Sequence, residues 1–156
     1  MACQTLIYPL APNTSMKNYF HSISITTRAG IEFHDITIHV QQAVKKSKME
    51  NGIVVVFTPH TTCCVKLNEN EKNLVSVMSA FLEQCAPSKK KYKHDLDPVD
   101  GRKNAHSHLK SLMLNSSETI PMQNGEMKLG GWQKIFFVEL DGPREKREAI
   151  IQIMGE

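Results

Sequence analysis

Four histidines stand where a predicted strand or helix begins or ends, or in an irregular segment. His60 closes a valine-rich strand, His94 lies in a loop, and His106 and His108 open a short helix. Neutral imidazoles together with a carboxylate suit a zinc-like metal ion or proton transfer. The chain lacks the H-E-x-x-H spacing of metalloproteases, so spacing alone indicates a metal only weakly. Taken singly, each histidine fits a surface or hydrogen-bonded structural residue better than a ligand.

The two helix histidines are expected on opposite borders of their helix. Helical periodicity predicts a buried apolar face made of Ala105, Leu109, Leu112 and Met113. His106 and His108 then lie roughly 160° apart around the axis, so a regular helix does not easily let them share a metal. His108 shares a side with Asn104 and Ser111 and is the better site candidate.

Polar residues also stand at both ends of the strand that follows His60. Thr61 and Thr62 precede it, and Asn68 and Glu69 end it. A strand is a rigid platform that holds such groups in fixed positions, and catalysis requires such positioning. The threonines fit ordinary strand residues equally well, and Asn70 or Glu71 fits a cap that places acid at the positive end of the next helix.

Two later residues carry ligand-binding chemistry with an ordinary alternative. Trp132, the only tryptophan, follows two glycines and could stack on a flat heterocycle, although core or interface packing explains it equally. Arg144 lies in a turn-forming stretch and could be solvent-exposed; if it points inward, its planar fork suits phosphate. The chain contains no glycine-rich phosphate loop, nucleophile elbow or dinucleotide-binding fingerprint.

The elements that must position these residues follow a mixed order. Predicted strands cover residues 19–30, 53–57, 63–68, 118–122, 126–131, 134–140 and 149–154. Predicted helices begin at 36, cover about 74–82 and cover about 104–114, with irregular segments over 86–103 and 141–148. Because this order lacks a βαβ rhythm, it favours an α+β fold with a mixed, mainly antiparallel sheet and packed helices.

Composition is that of an ordinary globular domain. The 156 residues are 40% hydrophobic and 22% charged, with a formal charge of +3, which predicts one domain over 1–156. The basic residues are mostly scattered, and the cluster at 89–93 fits a solvated loop, so no nucleic-acid partner is expected. No stretch has the length and apolarity of a membrane span, and no membrane partner is expected.

Cysteine usage and the first residues predict a cytoplasmic protein. The four cysteines, Cys3, Cys63, Cys64 and Cys85, show neither C-x-x-C pairing nor a disulfide framework. The adjacent pair should point to opposite faces of its strand as reduced packing residues. The first 15 residues lack the basic and apolar regions of a signal peptide.

Eight short motifs, in this order, resemble the YjbQ-like family (UPF0047). They are HTT at 60–62, NENE at 68–71, YKH at 92–94, NAHSHLKS at 104–111, IP at 120–121, Gly125, LGGWQ at 129–133 and IFFVELDGPR at 135–144. The resemblance covers about 18–154, which leaves 1–17 as an N-terminal extension. It implies a compact α+β fold, assembled as a homotrimer, with the histidine motifs in a cleft.

The resemblance also implies roles for individual residues. The implied catalytic residues are His60, Thr61, Thr62, Glu69, His108 and Arg144. The implied substrate-binding residues are Asn68, Lys110, Trp132, Gln133 and Glu139. The implied metal ligands are His60, His94, His106, His108 and Glu69. Two departures from the family pattern, Gly131 for threonine and Cys63–Cys64 for two alanines, touch no histidine or carboxylate.

The function implied by the resemblance is a secondary thiamine-phosphate synthase, a transferase. Such an enzyme joins an aminopyrimidine diphosphate to a thiazole phosphate and releases pyrophosphate. The substrate partner is then a small phosphorylated heterocycle. Arg144 and Lys110, with a divalent metal held by Glu69, would neutralise the departing diphosphate, and Trp132 would hold a ring.

The kind of metal ion that is expected differs between the alternative functions. Magnesium, the usual diphosphate partner, prefers oxygen ligands, whereas histidines favour zinc-like metals. A metal-dependent hydrolase or lyase on the same His/Glu cluster is therefore a second hypothesis. A third is a non-enzymatic trimeric ligand-binding protein whose histidines tie subunits together.

Overall fold

The structure, a computed structural model, describes residues 15–156 and contains eight strands and three α-helices. The strands are β1 (Lys17–Thr27), β2 (Glu32–Asp35), β3 (Gly52–Phe57), β4 (Cys63–Glu69), β5 (Ser117–Gln123), β6 (Glu126–Met127), β7 (Gln133–Glu139) and β8 (Arg144–Gly155). The helices are α1 (Thr37–Ser47), α2 (Lys72–Cys85) and α3 (Ala105–Leu112), with a 3-10 turn at Lys93–Leu96 inside the long irregular segment.

The strands form two sheets in which every pairing is antiparallel. One sheet has the order β1-β8-β3-β5-β6 and the other β2-β7-β4. The main core draws apolar residues from both sheets and from α1. The α+β fold with mainly antiparallel strands is therefore confirmed.

Helix α1 buries the face that its periodicity predicts. Ile36, Val40, Ala43 and Val44 are all buried in the main core.

Helix α2 begins after Glu71, whose carboxylate accepts hydrogen bonds from the backbone N–H groups of Asn73 (2.8 Å) and Leu74 (2.7 Å). Of the two residues predicted as a cap, Asn70 and Glu71, Glu71 is the one that caps the helix.

Strand β4 separates the two adjacent cysteines onto opposite faces. Cys63 faces the main core, whereas Cys64 packs with Leu82 of α2 and with Phe136 and Val138 of β7. Both thiols are free and buried, and burial raises both pKa values, that of Cys64 to about 12. These observations agree with reduced packing residues; Cys3 lies outside the described residues.

Of the four residues that periodicity predicts on the buried face of helix α3, the structure buries only Ala105, so the prediction is wrong for the other three. The buried residues of this helix are Ala105, Ser107 and Lys110. Leu109, Leu112 and Met113 are exposed. The polar side chains turn inward because each finds a partner there: the Ser107 hydroxyl donates to the Leu140 carbonyl, and the Lys110 ammonium to Glu83. A satisfied hydrogen bond removes the penalty for burying such groups.

The last strand is longer than predicted. It begins at Arg144 rather than near Ala149, because its first residues pair with β1, where Ile25 lies opposite Arg147.

Within residues 15–156, no helix has the length and apolarity needed to cross a membrane.

Candidate functional site

The pairing of β4 with β7 defines two ends of the smaller sheet. Cys63 lies opposite Glu139 at one end, and Glu69 lies opposite Gln133 at the other. Cys63 and Glu69 are six residue steps apart along the strand, a distance of about 20 Å. We call the first the histidine end, because His60 precedes it, and the second the tryptophan end, because Trp132 borders it.

A buried ion pair organises the histidine end. Glu139 is fully buried and binds Arg147 through both oxygens, with Nε–Oε2 at 2.7 Å and Nη2–Oε1 at 2.8 Å. Arg147 also donates to the Thr62 hydroxyl at 2.9 Å, and Thr27 donates to Glu139. Burial opposes ionisation of Glu139, but the hydrogen bonds from Arg147 and the Asp141 N–H lower its pKa. Glu139 and Thr62 therefore have structural partners rather than free polar atoms.

Asp141 forms a second charged cluster at this end. Its carboxylate accepts hydrogen bonds from Arg102, with Nε and Nη2 each at 3.2 Å, from Asn104 Nδ2 at 2.8 Å, and from Arg144. Burial works against the charge, but the bonds from Asn104 and Arg102 keep the pKa of Asp141 low. Two guanidinium groups thus share one carboxylate, which leaves one positive charge in excess.

Two of the predicted histidines face each other near this cluster. The ring centres of His94 and His108 lie 5.4 Å apart. His94 Nδ1 is 3.2 Å from Asp95 Oδ1, which also accepts from the backbone N–H of Ala105 at the start of α3. Asp95 therefore fixes the loop histidine against the helix that carries His108.

His60 is oriented by the last strand. Its Nε2 accepts a hydrogen bond from the backbone N–H of Glu148 at 2.9 Å. Burial and the neighbouring positive charge of Arg147 lower the pKa of His60, so the ring is neutral near pH 7. The Thr61 carbonyl accepts from Ser111 of α3 at 2.6 Å. Because Ser111 lies one turn after His108, this contact connects the His60 turn with the His94–His108 pair.

His106 and Lys110 lie on a different side of α3. Lys110 is fully buried, and its ammonium binds Glu83 Oε2 of α2 at 2.7 Å. Lys110 therefore has a structural counter-ion, rather than the free charge that substrate binding would require. Burial and the charge of Lys110 lower the pKa of His106, whose Nδ1 is buried without a partner. Of the two helix histidines, His108 is the one that meets His94.

The remaining predicted residues lie at the tryptophan end. Gln133 Oε1 accepts from the Gly130 N–H at 2.8 Å and closes the turn that carries Trp132, whose exposure is 76%. Asn68 Oδ1 accepts from the Glu69 N–H at 2.9 Å. Within one chain, these residues do not meet His60, His108 or Arg144.

The predicted metal ligands are only partly assembled. In the part of the chain that the structure describes, no group of three or more histidine, cysteine, aspartate or glutamate residues is placed to hold a metal ion. His94 and His108 are the predicted ligands that lie side by side, whereas His106 and Glu69 lie elsewhere. One chain therefore offers two imidazoles, and a metal bound there would need further ligands from substrate, water or another copy.

Three residues of the site, Arg102, Asp141 and Arg147, are not among those that the sequence singles out. The missed signal lies in β8, where Arg147, Ala149, Ile151 and Ile153 are all buried. Extending the alternation of the last strand by one step toward the N-terminus would have placed Arg147 inward. Arg102 and Asp141 carry no such signal, since they meet only in three dimensions.

The two antiparallel sheets and three helices define an α+β protein. A charged cluster lies at one end of its smaller sheet. The chain belongs to the family described as UPF0047 protein YjbQ-like, whose model matches residues 21–156. A UPF0047 protein of Methanothermobacter thermautotrophicus is 41% identical over 132 residues, which are 85% of this chain and 90% of that protein. The UPF0047 protein YugU of Bacillus subtilis is 32% identical, over 86% of this chain and 98% of that protein.

Solved structures agree with this assignment. A crystal structure of a YbjQ-like protein of unknown function from Sulfolobus solfataricus P2 is similar with a TM-score of 0.86 and 37% identity, over 91% of this chain and all of that one. A hypothetical protein from Aeropyrum pernix K1 has a TM-score of 0.82 and 34% identity, over 88% of this chain and 98% of that one.

Proposed function

We propose that this protein is a transferase of thiamine-phosphate synthase type, which joins an aminopyrimidine diphosphate to a thiazole phosphate. The observation that carries the proposal is the cluster at Asp141, where Arg102 and Arg144 share one carboxylate. The excess positive charge stands at the same end as the neutral His60 ring and the His94–His108 pair. A phosphorylated substrate is the class of ligand that such a cluster fits.

The chemistry needs a stabilised leaving group more than a nucleophile. The bond between the substrate carbon and the diphosphate oxygen breaks, and the electron pair leaves on the diphosphate, while the ring nitrogen of the thiazole supplies the electron pair that forms the new bond to the same carbon. Arg144 is partly exposed, and its planar guanidinium suits two phosphate oxygens at once. Charge developing on the leaving group is stabilised most by donors that are already fixed in position, and the Asp141 cluster fixes both arginines. A divalent metal, when bound, would supply further charge neutralisation.

We propose further that the protein works as a homotrimer in the cytoplasm. Support for self-association comes from apolar side chains that the single chain leaves exposed, which are Val77, Phe81, Leu112 and Met113. Exposed apolar groups of this kind mark interaction surfaces. Residues of the tryptophan end lie about 20 Å from the histidine end of the same chain, so only those of another copy could contribute to one site.

A second candidate is a metal-dependent hydrolase or lyase, and the His94–His108 pair favours it. Two imidazoles with their ring centres 5.4 Å apart are suited to sharing one zinc-like ion. Metal content measured by mass spectrometry tests this candidate. Stoichiometric metal in the wild type that is lost in His94→Ala and in His108→Ala, but kept in the control His39→Ala at an exposed helix position, would favour it over the synthase.

The synthase proposal is tested by turnover of the two phosphorylated substrates with magnesium present. We expect Arg144→Gln to lower kcat/KM about 10- to 100-fold, because a charge-assisted contact to phosphate is lost. The matched control is Lys146→Gln, which removes an equal charge from an exposed position of the same strand. Absence of turnover in the folded wild type, or an equal loss in both variants, would overturn the proposal.

A further inference from the structure

A depression of about 430 Å³ opens beside the turn between β3 and β4. Its walls are mostly apolar and include Phe57, Leu112 and Leu114, with His60, Thr61 and Ser111 as polar neighbours. Small-molecule sites typically have volumes of roughly 300–1,000 Å³, apolar walls and a few placed polar groups. The depression therefore has the size and lining of a site for a small ring.

The backbone of Glu148 holds the turn that forms this depression. Its N–H donates to His60 Nε2 at 2.9 Å, and its carbonyl accepts from the Thr58 hydroxyl at 3.1 Å. A ring nitrogen that accepts a hydrogen bond carries no proton, so the neutral His60 ring must carry its proton on Nδ1. The tautomer is thus set by main-chain geometry.

The Nδ1–H of His60 is left free for a ligand. Among residues 15–156, no oxygen accepts a hydrogen bond from it, and the atom is not among the buried polar atoms without a partner. It is therefore accessible from outside the protein, and His60 is one of the residues that line the depression. Since Nε2 is already occupied, His60 in this arrangement is a donor, rather than a proton-accepting base or a metal ligand through Nε2.

We propose that this depression binds a planar heteroaromatic ring, one of whose acceptor atoms receives the hydrogen bond from His60 Nδ1–H. The inference rests on the proposed function, because it names where the ring of a phosphorylated heterocycle would lie. Phe57 and Leu112 supply apolar contact to the ring. Ser111 borders the depression, and His108 stands three residues earlier on α3, about 4.5 Å along the axis. Asn104, whose amide binds Asp141, lies seven residues before Ser111, about 10 Å along the helix axis, so a phosphate on the ring must span roughly that distance to meet the Asp141 cluster.

The proposed ring site does not include Trp132, the residue that the sequence favours for holding a ring. Trp132 lies at the other end of the same sheet and is mostly exposed. A donor fixed at the depression also selects the ligand: a ring with an acceptor nitrogen or oxygen binds, and an all-carbon ring of the same shape binds less well. The difference should be roughly tenfold, the usual worth of one hydrogen bond.

The tautomer is tested first, by two-bond ¹H–¹⁵N correlation spectra of the wild-type protein labelled at histidine. We expect His60, identified by the signals missing in His60→Gln, to show the Nδ1–H form. The Nε2–H form would overturn the proposal, because the donor would then point at Glu148 instead of the depression.

Ring binding is tested with phosphate-free 4-amino-5-hydroxymethyl-2-methylpyrimidine, followed by amide chemical shifts. We expect shifts over residues 57–63 and 111–116, and binding about tenfold weaker for a benzyl alcohol analogue without ring nitrogens. Phe57→Ala should weaken binding at least threefold, whereas Phe20→Ala, a matched change at an exposed phenylalanine of β1, should not. Shifts confined to 130–133, or none up to the solubility limit, would overturn the proposal.

The variants His60→Gln and His60→Asn distinguish the loss of the hydrogen-bond donor from a structural effect of replacing His60. The glutamine amide can reach the Glu148 N–H, whereas the asparagine amide lies near the Nδ1 position. We expect tenfold weaker binding for the first and partial rescue for the second, and equal loss in both would overturn the donor role. These measurements need no turnover. Binding at 57–63 by a protein without synthase activity would refute the proposed function and leave the ring site intact.

Discussion

The two ends of the β4–β7 pair are built in different ways. At the histidine end, β1, β4, β7 and β8 all contribute to one buried ion pair, since Glu139 contacts Thr27, Cys63 and Arg147. At the tryptophan end, the contacts are exposed and include near neighbours in sequence, such as Gln133 with Gly130, besides one contact of Asn68 with Met78 of α2. Polar groups that need several elements to satisfy them are fixed by the fold, whereas locally bonded groups are not. The comparison favours the histidine end as the preorganised site.

The largest expected effect is on the buried ion pair. Glu139→Gln keeps the shape of the side chain but leaves Arg147 buried without a counter-charge, so we expect a loss of about 3–5 kcal/mol in unfolding free energy. Urea denaturation at matched oligomeric state measures it. The control Glu69→Gln, at the tryptophan end, should change stability by less than about 0.5 kcal/mol. Similar losses in both variants would remove the contrast between the ends.

A smaller loss of unfolding free energy is expected at the Asp141 cluster. Asp141→Asn removes the charge that Arg102 and Arg144 share, and we expect a loss of about 2 kcal/mol. The exposed Asp97→Asn serves as control. A double-mutant cycle with Arg144→Gln sharpens the test, because residues in one network have non-additive effects. Strict additivity would mean that Arg144 does not depend on Asp141 for its position.

The Glu83–Lys110 pair should make a pH-dependent contribution. Burial opposes ionisation of Glu83, yet the hydrogen bond from Lys110 lowers its pKa to about 2, from its ordinary value of 4.5. A depressed pKa stabilises the folded state above about pH 4.5, and that stability is lost as the pH falls toward 2. Glu83 is partly exposed, so we expect Glu83→Gln to cost about 1 kcal/mol at pH 7.

The measurement for this pair is the stability difference between wild type and Glu83→Gln across pH 2–7. The difference should shrink as the pH falls from about 4.5 toward 2, because the Glu83 carboxyl of the unfolded chain becomes protonated in this range while that of the folded protein stays ionised. Glu126→Gln, an exposed change on β6, should show no such trend. A difference that stays constant to pH 2 would contradict a charged pair.

The smallest effect is expected at the tryptophan end. Gln133→Ala removes one hydrogen bond to an exposed turn, so we expect a loss of about 0.5 kcal/mol by urea denaturation. The Gly130 N–H can then bind water, which limits the cost. A loss above about 2 kcal/mol would show that this end is as firmly organised as the other.

Periodicity predicted most strands and helix α1 well, because their apolar residues repeat with the period of the element that buries them. Val54 and Val56 of β3 and the buried face of α1 are examples. It missed β2, and helix α2 lies where predicted but buries only Leu82 of its apolar face. The pattern was wrong for α3, where Leu112 is exposed and Lys110 is buried. A pattern of apolar residues does not reveal a distant carboxylate such as Glu83, and this partner decides which face of α3 turns inward.

The same limit applies to the site. Motif order singled out His60, His94, His108 and Arg144, which the fold gathers at one end. It also grouped Asn68 and Gln133 with them, although the register of β4 against β7 puts these residues about 20 Å away. Sequence proximity of motifs thus carried no information on which end of the sheet each one occupies.

By itself, the sequence determined the family, the α+β class and the residue types available for chemistry. It did so because local periodicity and short motifs depend on neighbours along the chain. Only the tertiary structure decided that His94 meets His108, that Arg102 and Arg144 share Asp141, and that Glu148 sets the tautomer of His60. Each of these contacts depends on charge compensation or strand register between distant segments, which the linear order of residues does not encode locally.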